Sequence, residues 1–67
     1  MDRKLQQEII FALDEAYDDN DMIINVKVSQ EKFLALGKPE YIDGFPVRVF
    51  KPNDKQPKCG WEITVFR

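Results

Sequence analysis

The side chains that could do chemistry are concentrated in two stretches. The run KPNDKQPKCGW, residues 51–61, holds the single cysteine and the single tryptophan, Cys59 and Trp61, behind Lys51, Lys55 and Lys58. A cysteine beside a lysine is one pattern of a reactive thiol, because a neighbouring cation stabilises the thiolate. An exposed sulfur there could also join two chains. Cysteine next to glycine at a strand entry is more often a small, inert, partly buried residue, and that reading is preferred. The basic residues suggest a second chemistry. Arg48, Lys51, Lys55 and Lys58, extended by Lys27, could follow a nucleic-acid backbone, with Trp61 or Phe50 as a stacking face. The net charge of −2 speaks against it, since nucleic-acid binders are typically strongly basic. A loop kept soluble by lysine is the plainer reading.

The other stretch is acidic: Asp14, Glu15, Asp18, Asp19 and Asp21. Hard divalent cations want several carboxylate oxygens. An EF-hand loop counted from Asp19 would put Ile23 at its fifth position and has no closing glutamate. A patch imitating nucleic-acid phosphates is weak at this net charge. A solvated helix end is the preferred reading.

Absences narrow the chemistry further. The chain has no histidine, which removes Ser-His and Cys-His nucleophiles and histidine metal sites. One cysteine excludes a thiolate zinc site. Gly37, Gly44 and Gly60 all fall at turns and form no phosphate-cradling pattern. Catalysis would have to rest on carboxylates or lysines in a domain too small for a deep pocket. The expectation is a protein that is not an enzyme, with no catalytic residue, metal or cofactor.

The elements that position these residues follow from pattern. Sixty-seven residues make one domain, 1–67, with a thin stability margin. A hydrophobic fraction of 43% suffices for a core. No apolar run is long enough to span a membrane, and residues 1–4 do not lead into a secretory h-region. The expected location is cytoplasmic.

Residues 2–17 read as an amphipathic helix capped by Asp2, with Leu5, Ile9, Ala12, Leu13 and Ala16 on one face. Ile10 and Tyr17 flank that stripe, and Phe11 points nearly opposite to it. Arg3 and Lys4 at its start and Asp14 and Glu15 near its end oppose the helix dipole, so packing must hold it. MIINVKV follows as a strand, with Ile24, Val26 and Val28 on one face. Ser29 caps a short helix over residues 30–36, ended by Gly37 and Pro39.

Asp43-Gly44 between apolar runs predicts a type I′ hairpin. Phe45, Val47 and Val49 then alternate with Pro46, Arg48 and Phe50, and Pro46 belongs near an edge or a strand start. Trp61, Ile63 and Val65 alternate with Glu62, Thr64 and Phe66. Pairing these last two strands antiparallel would set Arg48 opposite Glu62 or Thr64 and bury Val47, Val49, Trp61, Ile63 and Val65 together. The fold class is therefore α+β: an N-terminal amphipathic helix and a short helix packed on a small antiparallel-rich sheet of three to four strands.

The remaining signal is apolar. Phe11 lies off the helix core face, and Phe50 and Phe66 fall on the sheet face opposite the core. Two phenylalanines on one uncovered face mark a contact surface. The preferred reading is that the short helix, residues 30–36, covers them through Phe33 or Leu36; if it does not, that face is a self-association or partner surface.

VKVSQEKFLAL, IDGFPVRVF and GWEITV together resemble a pattern of small uncharacterised proteins of tailed phages and prophages. In that pattern a strand leads into Ser-x-Glu-x-aromatic, then Gly-x-Pro-Val-x-Val, then Trp-x-Ile. Here these are Ser29, Glu31, Phe33, Gly44, Pro46, Val47, Val49, Trp61 and Ile63, within residues 26–65. The resemblance implies an origin and a size class and brings no catalytic residue. The resulting expectation is a non-enzymatic phage-type accessory protein that binds another protein, a virion component or host factor, through Phe11, Phe50 and Phe66. Two alternatives stand beside it: nucleic-acid binding through Arg48, Lys51, Lys55 and Lys58, and a structural homo-oligomer using Phe50 and Phe66.

Overall fold

A computed structural model of the chain describes residues 2–66. Its elements run α1 (Arg3–Asp18), β1 (Met22–Val28), α2 (Gln30–Ala35), β2 (Tyr41–Ile42), β3 (Phe45–Val49) and β4 (Trp61–Phe66). The strands form one mixed sheet in the order β2-β3-β1-β4. This is the expected α+β architecture with four strands, and two of its three strand pairings are antiparallel.

The helix ends are built by local chemistry. The Asp2 carboxylate accepts the Leu5 N–H at 3.0 Å, and the Ser29 hydroxyl accepts the Lys32 N–H at 3.2 Å. Each satisfies one backbone donor that a helix start leaves without an intrahelical partner. Both helices stop in the same way. After α1, Asn20 adopts φ 62°, and the Asn20 and Asp21 N–H groups donate back to Tyr17 and Ala16. After α2, Gly37 at φ 82° and Lys38 donate to Leu34 and Phe33. These paired reverse bonds use carbonyls that the last turn cannot satisfy itself.

Leu5, Ile9 and Leu13 of α1 are buried against Val26 and Val28 of β1, with Leu36, Ile42 and Val47 completing the core. Phe33, Ala35, Phe45, Val49, Trp61 and Ile63 pack around it. The Asp2 N–H donates to the Ala35 carbonyl at 2.8 Å, joining the start of α1 to the end of α2. Both helices therefore lie on one face of the sheet. The expectation that α2 covers the opposite face through Phe33 or Leu36 is overturned, since both residues join the core that α1 covers.

Strand order departs from the expected β3–β4 pairing. Strand β1 stands between them, parallel to β3 with Lys27 beside Arg48, and antiparallel to β4 with Lys27 beside Glu62. Arg48 and Glu62 are thus separated by a strand. Residues 50–60 form too long a connection for a tight hairpin, and that length lets the chain cross the end of β1. Strand β1 contributes Val26 and Val28, both fully buried, and the central position encloses them between β3 and β4.

A second departure lies within β1. Its register with β4 shifts between Ile23 and Asn25, so Ile24 is the extra residue of a β-bulge. The bulge changes the parity of the strand. Ile23 joins Val26 and Val28 on the core face, and Ile24, expected there, is 44% exposed. The hairpin signal is realised as read: Asp43 and Gly44 have φ 52° and 85°, and Ile42 pairs with Phe45. The Phe50 N–H donates to Val28 of β1, so even-numbered residues of β3 direct their donors to that side. Pro46 has none to give, and the pairing with β1 begins at Val47.

Candidate protein-binding surface

With both helices on one side, the other face of the sheet is open. Its residues follow from register. Tyr41 pairs with Pro46, Asn25 with Thr64, Arg48 with Lys27, Lys27 with Glu62, and Met22 with Phe66. Met22, Phe66 and Tyr41 are each about two-thirds exposed, and the displaced Ile24 adds to them. The face is apolar where β1 begins and β4 ends. It is charged toward Arg48, Lys27 and Glu62.

Among the described residues, one buried side-chain polar atom on this face has no partner. The Asn25 side-chain oxygen is buried and accepts no hydrogen bond among the described residues. It sits on the bulge, where the irregular backbone brings Ile24 and Asn25 together opposite Thr64. An uncompensated buried acceptor of this kind costs free energy and marks the bulge as a local departure from optimal packing.

The three candidate phenylalanines separate. Phe66 stands on the open face as expected. Phe11 is exposed on α1, beside Lys4, Gln7, Glu8 and Trp61 around a shallow depression of about 500 Å³. Phe50 is corrected: it is 7% exposed and is no surface contact. Regular strand structure ends at Val49, and the Phe50 N–H is tied to the end of β1. The side chain is enclosed at the root of the loop crossing that end, instead of standing free on the sheet. The pairing of Phe50 with Phe66 as an oligomer surface is lost with it.

The basic residues do not gather into one site. Lys51, Lys55 and Lys58 are exposed along the loop, whose first turn is fixed by Asp54 accepting the Lys51 N–H at 2.9 Å. Arg48 lies on the open sheet face beside Lys27. Neither expected stacking ring is free beside the loop lysines, because Phe50 is buried and Trp61 packs against the core.

Cys59 is also corrected, being exposed and not partly buried. Its thiol donates to the Trp61 carbonyl at 3.0 Å. The acidic residues Asp14, Glu15, Asp18 and Asp19 are exposed, and among the described residues no three acidic or sulfur ligands converge.

A groove of about 380 Å³ lies at the β2 edge of the sheet, between residues 38–41 and β3, with Phe33 among its lining. It forms because β2 is only two residues long, so β3 outruns its partner. No described helix is long and apolar enough to cross a membrane.

Sequence reasoning missed Met22, Ile24 and Tyr41 on the open face. Tyr41 was legible, because an Asp43-Gly44 turn sets residue 41 opposite 46. Ile24 was not, because no local pattern announces the bulge. Compared with known proteins, the chain matches no protein family, no curated protein and no solved structure.

Proposed function

We propose that this chain is a small non-enzymatic accessory protein that binds another protein through the open face of its sheet. The observation that carries this reading is an uncovered sheet face bearing Met22, Ile24, Tyr41 and Phe66, while both helices pack on the other side. Met22, Ile24 and Phe66 adjoin where β1 begins and β4 ends, and apolar side chains grouped on one face favour contact with a partner over solvent. Arg48, Lys27 and Glu62 supply a polar margin that could orient it. The resemblance to tailed-phage proteins directs the search to virion components and host factors, in the cytoplasm of a host cell.

The test uses the intact chain as bait in host lysate and against virion proteins, beside a Met22→Ser/Phe66→Ser variant. A stoichiometric partner held by the wild type and lost by the variant is the expected result. Recovery of no such partner, or equal recovery by both baits, would count against the reading. The nucleic-acid alternative keeps the adjacent pair Lys27 and Arg48. A low-salt gel shift abolished by reversing Lys51, Lys55 and Lys58 would support it, and no shift at low salt would end it.

A further inference from the structure

The two edges of the sheet are finished differently. On one side β2 is two residues long and is preceded by Lys38 and Pro39. Short strands, prolines and lysines are the usual means of preventing an edge from pairing. On the other side β4 runs six residues, Trp61–Phe66, with Glu62 its one charge and no proline.

Which backbone groups face outward follows from the register. The Ser29 N–H donates to the Gly60 carbonyl at 2.8 Å. Along the antiparallel ladder Glu62 and Thr64 therefore turn their backbone groups toward β1. Trp61, Ile63 and Val65 turn theirs outward. The contact between the Cys59 thiol and the Trp61 carbonyl agrees with this direction.

We infer that this free edge pairs with the same edge of a second copy of the chain, antiparallel about a two-fold axis at Ile63. The outward residues are all odd-numbered, so a symmetric pairing must centre on one residue between 62 and 64. Centring on Glu62 sets its carboxylate against itself. Centring on Thr64 sets the Glu62 carboxylate beside the second copy's Phe66, a charge against an apolar ring. Centring on Ile63 pairs Trp61 with the second copy's Val65 and engages the outward backbone groups of the three residues, the Val65 N–H joining or replacing the Cys59 thiol at the Trp61 carbonyl. On the open face it sets Glu62 beside the second copy's Thr64, with no like charges opposed.

The helix side supports the same occupant. Phe11, off the core face, lies with Trp61, Lys4 and Glu8 along the β4 side of the molecule. Helix α1 precedes β1 through a tight turn and so runs roughly parallel to β4. The two-fold axis makes the two α1 helices antiparallel. Arg3 and Lys4 of one then face the acidic end of the other, Asp14, Glu15 and Asp18. Charges that oppose the dipole of their own helix gain complementary charges in the pair. The two β1 strands would lie three strand spacings apart, about 14 Å, leaving room for the Phe11 rings between helices that pack at roughly 8–10 Å. This pairing does not involve the partner face proposed above.

Sedimentation equilibrium on the purified chain tests it directly. The mass is expected to rise with concentration toward twice 7.9 kDa. Thr64→Glu opposes two pairs of carboxylates across the junction and should raise the dissociation constant about tenfold. Adding Glu62→Lys to that variant should restore association. For register, Glu62→Cys and Thr64→Cys are each made with Cys59→Ser. Oxidation should cross-link their mixture faster than either alone, because directly opposed residues meet disulfide geometry. A chain that stays at 7.9 kDa up to about 1 mM overturns the inference. So does a dimer indifferent to Thr64→Glu, or cross-linking no faster in the mixture. Should Thr64→Glu fail to fold, the cross-linking comparison decides alone.

Discussion

Gly60→Ala separates two physical effects at one position. Gly60 has φ +83°, a left-handed conformation that costs a residue with a Cβ about 1–2 kcal/mol. Part of that is offset, because alanine also narrows the unfolded ensemble, by roughly 0.4–1 kcal/mol. The site is crowded as well: a Cβ there would stand 3.0 Å from Lys32 Cγ, 3.1 Å from Lys32 Cε and 3.4 Å from Ser29 Oγ. Moving the Lys32 stem off its rotamer adds about 0.5–1.5 kcal/mol. The expected loss is about 2 kcal/mol. Gly44 is the control, at φ +85° with nothing within 4 Å of a built Cβ. Gly44→Ala should carry the backbone cost alone, about 1 kcal/mol. Urea unfolding reads both. With a slope near 1 kcal/mol/M the midpoints should fall by roughly 2 M and 1 M. In a Lys32→Ala background the cost of Gly60→Ala should drop to that of Gly44→Ala. If the two glycine variants agree within about 0.3 kcal/mol, or Lys32→Ala leaves the Gly60 cost unchanged, the crowding argument is refuted.

Two further outcomes follow from burial and capping. Phe50→Ala should lower stability by about 3 kcal/mol, whereas Phe66→Ala, at a position 65% exposed, should stay within about 0.5 kcal/mol; thermal unfolding compares them, and equal losses would contradict the enclosure of Phe50. Asp2→Ala removes the acceptor of the Leu5 N–H and should cost about 1 kcal/mol, with Asp2→Asn recovering most of it in the same urea titration.

Much of the candidate surface was legible only in part. Phe66 could be placed from the alternation of β4, because that strand is regular to its end. Phe50 obeyed the same alternation in the sequence, yet the strand stops one residue before it, and enclosure replaces exposure. Met22 and Ile24 depended on a bulge that shifts the register of β1. No periodicity in MIINVKV distinguishes Ile23 from Ile24 as the core residue.

By itself the sequence determined what depends on neighbours a few residues away. The Asp2 and Ser29 caps, the α1 stripe of Leu5, Ile9 and Leu13, and the Asp43-Gly44 turn are decided by contacts within a helical turn or a hairpin, where few alternatives compete. Tertiary structure alone decided the strand order and the helix-covered face. It also decided the bulge at Ile24 and the burial of Phe50. Those outcomes are set by competition among distant segments for the centre of one sheet. The pairing of β1 with both β3 and β4 encloses Val26 and Val28 at the centre of the sheet, and the connection over residues 50–60 is long enough to permit it.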